Sequence, residues 1–254
     1  MKKDIAFTKE QNNIWHQLFD NQIQNVERFA CKEFLQGFQI LNLSNKKVPL
    51  LNSINKKITP ITSWQATRTK IRYSGALPWY QHFARHEFIV TNYLRSWDEF
   101  EFTPEPDMFH DIFGHLPFLT LPEYVELFEL FSSAYLRAND IEREKIGKLA
   151  WFSYEFGLIE AKSKLKIFGA GIISSIGETN QIVTGKTKFE KFTIGNVLKH
   201  QKAIANFNET LFVFDSLTSL KQELKKFLAP IAKRNIVVDI NGTIMDTEMD
   251  LRKY

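Results

Sequence analysis

Between Thr8 and Phe38 the apolar residues Trp15, Phe19, Ile23, Val26 and Ala30 recur at three- and four-residue steps. That spacing predicts a helix with one buried face, which commits the chain's opening to an α-helical core. Later segments repeat the pattern. A short helix is expected from Pro49 to Lys57, followed by irregular chain from Pro60 to Gly75 and a longer helix after Pro78. Thr120-Leu-Pro-Glu123 has the capping-box pattern and should open a helix running to about Leu136. Asn139-Asp140 should cap a long central rod from Ile141 to about Lys166, because that stretch lacks proline. A short helix after Gly169-Ala-Gly171, a loop or cover from Gly177 to Gly195, and a helix from Leu217 to Leu228 complete the helical set. Ile236–Ile240, Asn241-Gly242 and Thr243–Met245 read as a C-terminal β-hairpin. The expected fold is mainly α, a single domain over 1–254 with a few short strands.

Composition narrows the function classes. Twenty-three Phe and five Trp, within a chain 44% hydrophobic and 24% charged, supply an aromatic core. The 33 basic and 29 acidic residues leave a net charge of +4, with lysines scattered in pairs such as Lys46-Lys47 and Lys225-Lys226. Nothing resembles the clustered basic face of a nucleic-acid binder. No apolar run approaches the roughly 20 residues of a membrane helix. The lone Cys31 excludes an internal disulfide, and the N-terminal stretch lacks the apolar core of a signal peptide, so a cytoplasmic location is expected.

Chemistry concentrates in the segment from Phe102 to Pro117. Its prolines bar a helix before Asp107, Asp107 can cap one, and Gly114 with Pro117 ends it again. It carries His110 and His115. On an unbroken α-helix residues five apart sit about 140° from each other, so a break at Gly114 is needed to bring the two together. Glu155 lies among Trp151, Phe152, Leu158 and Ile159, where a buried carboxylate must be paired, protonated or metal-bound. Two imidazoles and one carboxylate make the facial triad that suits Fe(II). A rival pair, His82 and His86, stands four apart, but Glu87 would point away from it on a helix. Taken alone, each histidine also fits a role as a polar residue filling a gap in the core.

These motifs, with Phe7-Thr-Lys-Glu-Gln, Ala30-Cys-Lys-Glu-Phe, Trp151-Phe152…Glu155-Phe-Gly-Leu158 and Phe168-Gly-Ala-Gly…Gly-Glu178, resemble the tetrahydropterin-dependent aromatic amino acid hydroxylases. The likeness covers about residues 7–228 and needs no gap from Arg95 to Glu178. It implies a helical basket like that of the bacterial catalytic domains, without the regulatory domain of the animal enzymes. It further implies His110, His115 and Glu155 as iron ligands, and Arg95 as the grip on the substrate carboxylate, a task suited to a guanidinium. Thr103, Ser174 and Glu178 match polar pocket positions, and Pro106, Trp151, Phe156 and Gly171 match the walls around the aromatic ring. Trp151 is similar to the phenylalanine and tyrosine branches.

The pterin half departs from the family pattern. Ile89 stands in place of a histidine, Asp111 in place of a glutamate, Ala150 in place of a tyrosine and Trp79 in place of the pterin-stacking phenylalanine. The loop from Ile71 to Pro78 also differs. Asp111 and Trp79 are the expected cofactor contacts. The implied activity is hydroxylation of an aromatic amino acid, phenylalanine to tyrosine first, with Fe(II), dioxygen and a tetrahydropterin. The departures keep open a pterin-free iron oxidase, and behind it a non-catalytic binder of aromatic amino acids. The oligomeric state has no signature in the sequence.

Overall fold

The computed structural model describes residues 7–70, 72, 74–101, 103, 105–238 and 244–246, with side chains as far as Asn235. Helices α1 (Lys9–Phe29), α2 (Lys32–Leu41) and α3 (Leu51–Thr62) come first. Thr8 and Gln11 form a reciprocal capping box at the start of α1. The single helix expected from Thr8 to Phe38 is broken in two. Ala30 is extended, and the Cys31 amide donates to the Ile167 carbonyl at 2.8 Å, so the backbone joins the sheet between helices. Helix α3 extends beyond the expected Lys57 and takes Pro60 into its last turn. The segment expected to be irregular after it contains β1 (Gln65–Arg68).

Helix α4 (Ala76–Phe83) is short, and β2 (Glu87–Val90) pairs in parallel with β1. A wide π turn (His110–His115) runs into a 3-10 turn (Leu116–Thr120) and then α5 (Pro122–Tyr135). The capping box expected at Thr120 does not form, because its hydroxyl donates to the Pro117 carbonyl at 2.8 Å instead.

Helix α6 (Asp140–Ala150) is capped by Asn139 as the sequence predicts, with Glu142 closing a reciprocal capping box, and passes into a second π turn (Trp151–Glu155). The rod expected to reach Lys166 stops there. Residues beyond it form the hairpin β3 (Gly157–Ala161) and β4 (Lys164–Ile167). Its two-residue turn, Lys162-Ser163, has both φ angles positive (51° and 60°), the geometry that matches strand twist.

The expected short helix is α7 (Ala170–Ile173). The stretch read as cover contains α8 (Ile176–Val183), β5 (Lys188–Lys191) and α9 (Ile194–Val197). Strand β6 (Thr210–Phe214) completes a four-stranded sheet in the order β4-β3-β6-β5, with β3–β6 and β6–β5 parallel. Lysines occupy both edge strands, which discourages pairing with another chain. Helix α10 (Leu217–Ala232) packs on α5. Strands β7 (Ile236–Val238) and β8 (Ile244–Asp246) pair antiparallel as expected, while the Asn241-Gly242 turn lies outside the described residues.

The core is aromatic. Trp15, Phe19, Phe34 and Phe38 from α1 and α2 surround Phe109 and Phe113, which stack at 4.7 Å. Phe83, Phe88, Phe128 and Tyr154 pack on the opposite side of the first π turn around His115. Full burial of each phenylalanine contributes roughly 1.5–3 kcal/mol before the entropy cost of ordering it. The first π turn is thus clamped between two aromatic clusters. From the far side Gln22 of α1 donates to the carbonyl of Ile173 at 2.7 Å and the hydroxyl of Thr179 at 3.1 Å, anchoring α7 and α8.

Candidate active site

Both π turns converge on one point. Their i→i+5 spacing is seen in the Leu116 amide donating to Asp111 and the Phe156 amide donating to Trp151. A turn widened in this way brings residues five apart close to one face, and such turns recur at functional sites. His110 and His115 therefore meet without the break the sequence seemed to require. Gly114 has a different role: a Cβ there would stand 2.8 Å from the Ala170 carbonyl oxygen, so its lack of a side chain lets α7 close on the turn. Gly169 does the same on the other side, where a Cβ would stand 2.2 Å from the Glu155 carbonyl oxygen.

The Nε2 atoms of His110 and His115 are 3.1 Å apart, and they lie 3.5 and 3.2 Å from the two Glu155 oxygens. These separations approximate the edges of an octahedral face, about 3 Å for bonds of roughly 2.1 Å. Among the described residues this is the cluster of His, Cys, Asp and Glu able to hold a metal ion. His115 is fully buried, whereas His110 (11%) and Glu155 (19%) remain partly open toward the cavity. Burial, and then the neighbouring His115, press His110 down to about 4, which keeps its imidazole neutral and available as a ligand. Burial works to raise Glu155, but His115 and His110 bring it below its ordinary range. The donor set fits Fe(II).

The atoms behind the ligands fix their orientation. His110 Nδ1 lies 2.9 Å from Ser174 Oγ, and Ser174 Oγ donates to the Ala170 carbonyl at 2.9 Å. This chain assigns the proton to Nδ1 and leaves Nε2 free to bind a metal. Asp107 accepts from the His110 amide at 2.9 Å, fulfilling the expected cap. The same carboxylate takes a bidentate pair from Arg95, at 2.8 and 2.9 Å. Burial would raise Asp107, yet the charge and hydrogen bonds of Arg95 hold it below its ordinary range. One buried aspartate thus links Arg95 to the turn that carries both histidines.

A cavity of about 590 Å³ opens above the triad, within the usual range for small-molecule sites. One part is lined by the sequence-predicted Arg95, Thr103, Pro106, Gly171, Ser174 and Glu178, with Trp151 and Phe156 as its walls, their rings 4.4 Å apart. Trp79, Tyr80, Tyr135 and Ala150 also line the cavity, and the three rings offer aromatic surface suited to a flat ring such as a pterin. Trp79 is braced edge-on by Phe88 at 5.0 Å. Asp111 and Ile89 are not among the lining residues. Asp111 is buried behind the cavity, where its Oδ2 accepts from the Thr91 amide at 2.7 Å, and burial pushes it up to about 7.

The rival histidines do not form a pair. His86 leaves the helix with φ 57°, stacks on Trp64 and faces Glu129 at 3.5 Å, while His82 bonds Glu87 at 2.7 Å. Sequence reasoning missed Asn208, which touches both Trp151 and Glu178. It also missed the hydroxyl contact between Tyr80 and Tyr154 at 3.1 Å. No spacing rule could have found either, because the partners lie 57 and 74 residues apart.

Among the described residues no helix is long and apolar enough to cross a membrane. The chain is 31% identical over 236 residues to the chloroplastic phenylalanine 4-monooxygenase of Pinus taeda, covering 91% of this chain and 65% of that longer protein. Its structure is similar to phenylalanine hydroxylase from Legionella pneumophila (TM-score 0.83, 28% identity, covering 89% of this chain and 91% of that one). It is also similar to the Chromobacterium violaceum phenylalanine hydroxylase with bound iron(III) and 7,8-dihydrobiopterin (TM-score 0.81, 29% identity, covering 89% and 82%). Residues 2–250 match the biopterin-dependent aromatic amino acid hydroxylases as a family. With its helical basket, its two-histidine, one-glutamate cluster and that match, the chain belongs to the biopterin-dependent aromatic amino acid hydroxylase family.

Proposed function

We propose that this protein converts phenylalanine to tyrosine, with Fe(II) held by His110, His115 and Glu155 and with a tetrahydropterin as electron donor. The observation that carries the reading is one cavity in which a preformed triad shares its walls with a buried guanidinium and an aromatic slot. Dioxygen takes four electrons and ring hydroxylation supplies two; iron with a reduced pterin supplies the oxygen activation and the remaining two electrons.

The chain's own residues provide position. Arg95, locked by Asp107, presents its remaining N–H groups to the substrate carboxylate. Trp151 and Phe156, packed against each other, form one wall for the substrate ring and keep water from it. Ser174 holds His110 in the tautomer that would leave Nε2 free to bind the metal. Trp79 would supply aromatic surface to the pterin, and Ala150 adds only a methyl group to the same cavity. The relatives at about this level of identity are phenylalanine hydroxylases, which supports phenylalanine as the first substrate.

The test is to load purified protein with Fe(II) and to measure products from phenylalanine, tyrosine and tryptophan, with and without tetrahydropterin. Tyrosine formed from phenylalanine only when pterin is present is the expected result. Absence of hydroxylated product from all three overturns the proposal, and equal turnover without pterin transfers the reading to a pterin-free oxidase.

A further inference from the structure

Asn208 lies at the end of a loop, distant in sequence from everything it touches, and is 3% exposed. Its Oδ1 accepts from the Trp151 indole N–H at 2.9 Å, and its Nδ2 donates to Glu178 Oε1 at 2.8 Å. Its backbone amide donates to the same oxygen at 3.2 Å. An indole can only donate and a carboxylate only accept, so the side-chain amide has one satisfactory orientation. Neighbouring Phe207 packs over Gly177, where a Cβ would stand 2.6 Å from the ring, seating the loop on α8.

Glu178 is 5% exposed and lines the same cavity as Arg95. Its Oε1 takes two donors, while its Oε2 is buried without a hydrogen-bond partner among the described residues. A buried carboxylate oxygen left in this way is costly. Burial pushes the group up to about 6, close to the point at which a nearby cation decides its charge. An α-amino acid carries that cation a few ångströms from the carboxylate that Arg95 would hold.

We infer that Glu178 receives the substrate's ammonium group, its unpartnered Oε2 turning from its buried position to meet it, and that Asn208 is the positioning residue that holds Glu178 and the Trp151 wall in one frame. The pocket thereby reads the whole zwitterion: carboxylate at Arg95, ammonium at Glu178, ring against Trp151. This rests on the amino acid hydroxylase reading above and adds the group that demands an amine.

The experiment compares binding of L-phenylalanine and 3-phenylpropanoate, which lacks only the ammonium, to Fe(II)-loaded protein by anaerobic calorimetry. The wild type should prefer phenylalanine by roughly 10- to 100-fold, the value of a charge-assisted hydrogen bond. Glu178→Gln should erase that preference by weakening phenylalanine while leaving 3-phenylpropanoate within about twofold. Asn208→Asp keeps the acceptor for the indole but loses the side-chain donor to Glu178, so it should reduce the preference with little change in Trp151 fluorescence. Asn208→Leu should reduce the preference and alter that fluorescence as well. Two results overturn the inference: no preference in the wild type, or variants that weaken both ligands by the same factor, as a merely structural role would. Failure of the wild type to hydroxylate any aromatic amino acid overturns the underlying reading instead, so the two failures are distinguishable.

Discussion

The proposed function gives the amino acid and the pterin different walls of the cavity, and those walls are built from different forces. At the first, buried polar groups are held in pairs: Arg95 with Asp107, Ser174 with His110, Glu178 with Asn208. At the second, the walls are the rings of Trp79, Tyr80 and Tyr135 beside the methyl of Ala150. Removing one member of a buried polar pair leaves a desolvated group exposed to nothing, whereas an aromatic slot recognises a flat ring by area and tolerates exchange of one ring for another. The departures that the sequence resemblance implies at Trp79 and Ala150 fall among the walls where physics makes change cheap.

The hinge between the ends is the triad, and breaking it should have the largest effect. A His110→Ala, Glu155→Ala double variant should lose its bound iron and fall to below about one-thousandth of wild-type turnover, measured by metal analysis beside the product assay. Full iron content in that variant would discard the site altogether. Next in size is Asp107→Ala, which strands a buried guanidinium and uncaps the first π turn. It should cost about 3–5 kcal/mol in denaturant unfolding, and Arg95→Ala in addition should recover part of the loss. Additive losses would mean that the pair is not the unit described.

The Glu178 carboxyl gives a smaller effect with a definite sign. Its folded-state value is raised from 4.5 to about 6, so its favourable contribution is complete below pH 4.5 and is lost as pH rises through 6. Without substrate, wild-type stability relative to Glu178→Gln should therefore decline by about 2 kcal/mol across that window. A flat difference would show that the carboxyl is solvated. The mildest expectation belongs to the aromatic end. Trp79→Ala should raise KM for the pterin by roughly tenfold, and Trp79→Phe should stay within about threefold. If Trp79→Phe proved as damaging as Asp107→Ala, the contrast between the ends would collapse.

The legible parts of the molecule were those with local signals. Asn139 announced a helix start because an N-cap acts within a single turn. Glu155 was legible because apolar neighbours surround a charge. The absence of proline after Ile141 carried α6 too far. The turn at Lys162-Ser163 adopts left-handed backbone without the Asn-Gly that usually marks it, so nothing local warned of a hairpin. Asp107 was readable as a cap but not as the partner of Arg95. The break at Ala30 depended on a carbonyl more than a hundred residues away. Such features belong to the tertiary fold, which a linear pattern does not contain.

The two widened turns make chain length itself a functional quantity. An α turn closes on the fourth residue and a π turn on the fifth, so each ligand-bearing segment holds one residue more than a regular helix would need. Inserting one more residue between His110 and His115, even an apolar one remote from the cavity, would set them six apart, about 120° from each other on an ordinary helix. His115 would then turn away from the other two ligands and the cluster would lose a member, although all three were still present in the sequence. A catalogue of side chains would judge such a variant intact. Counting the residues between them would not.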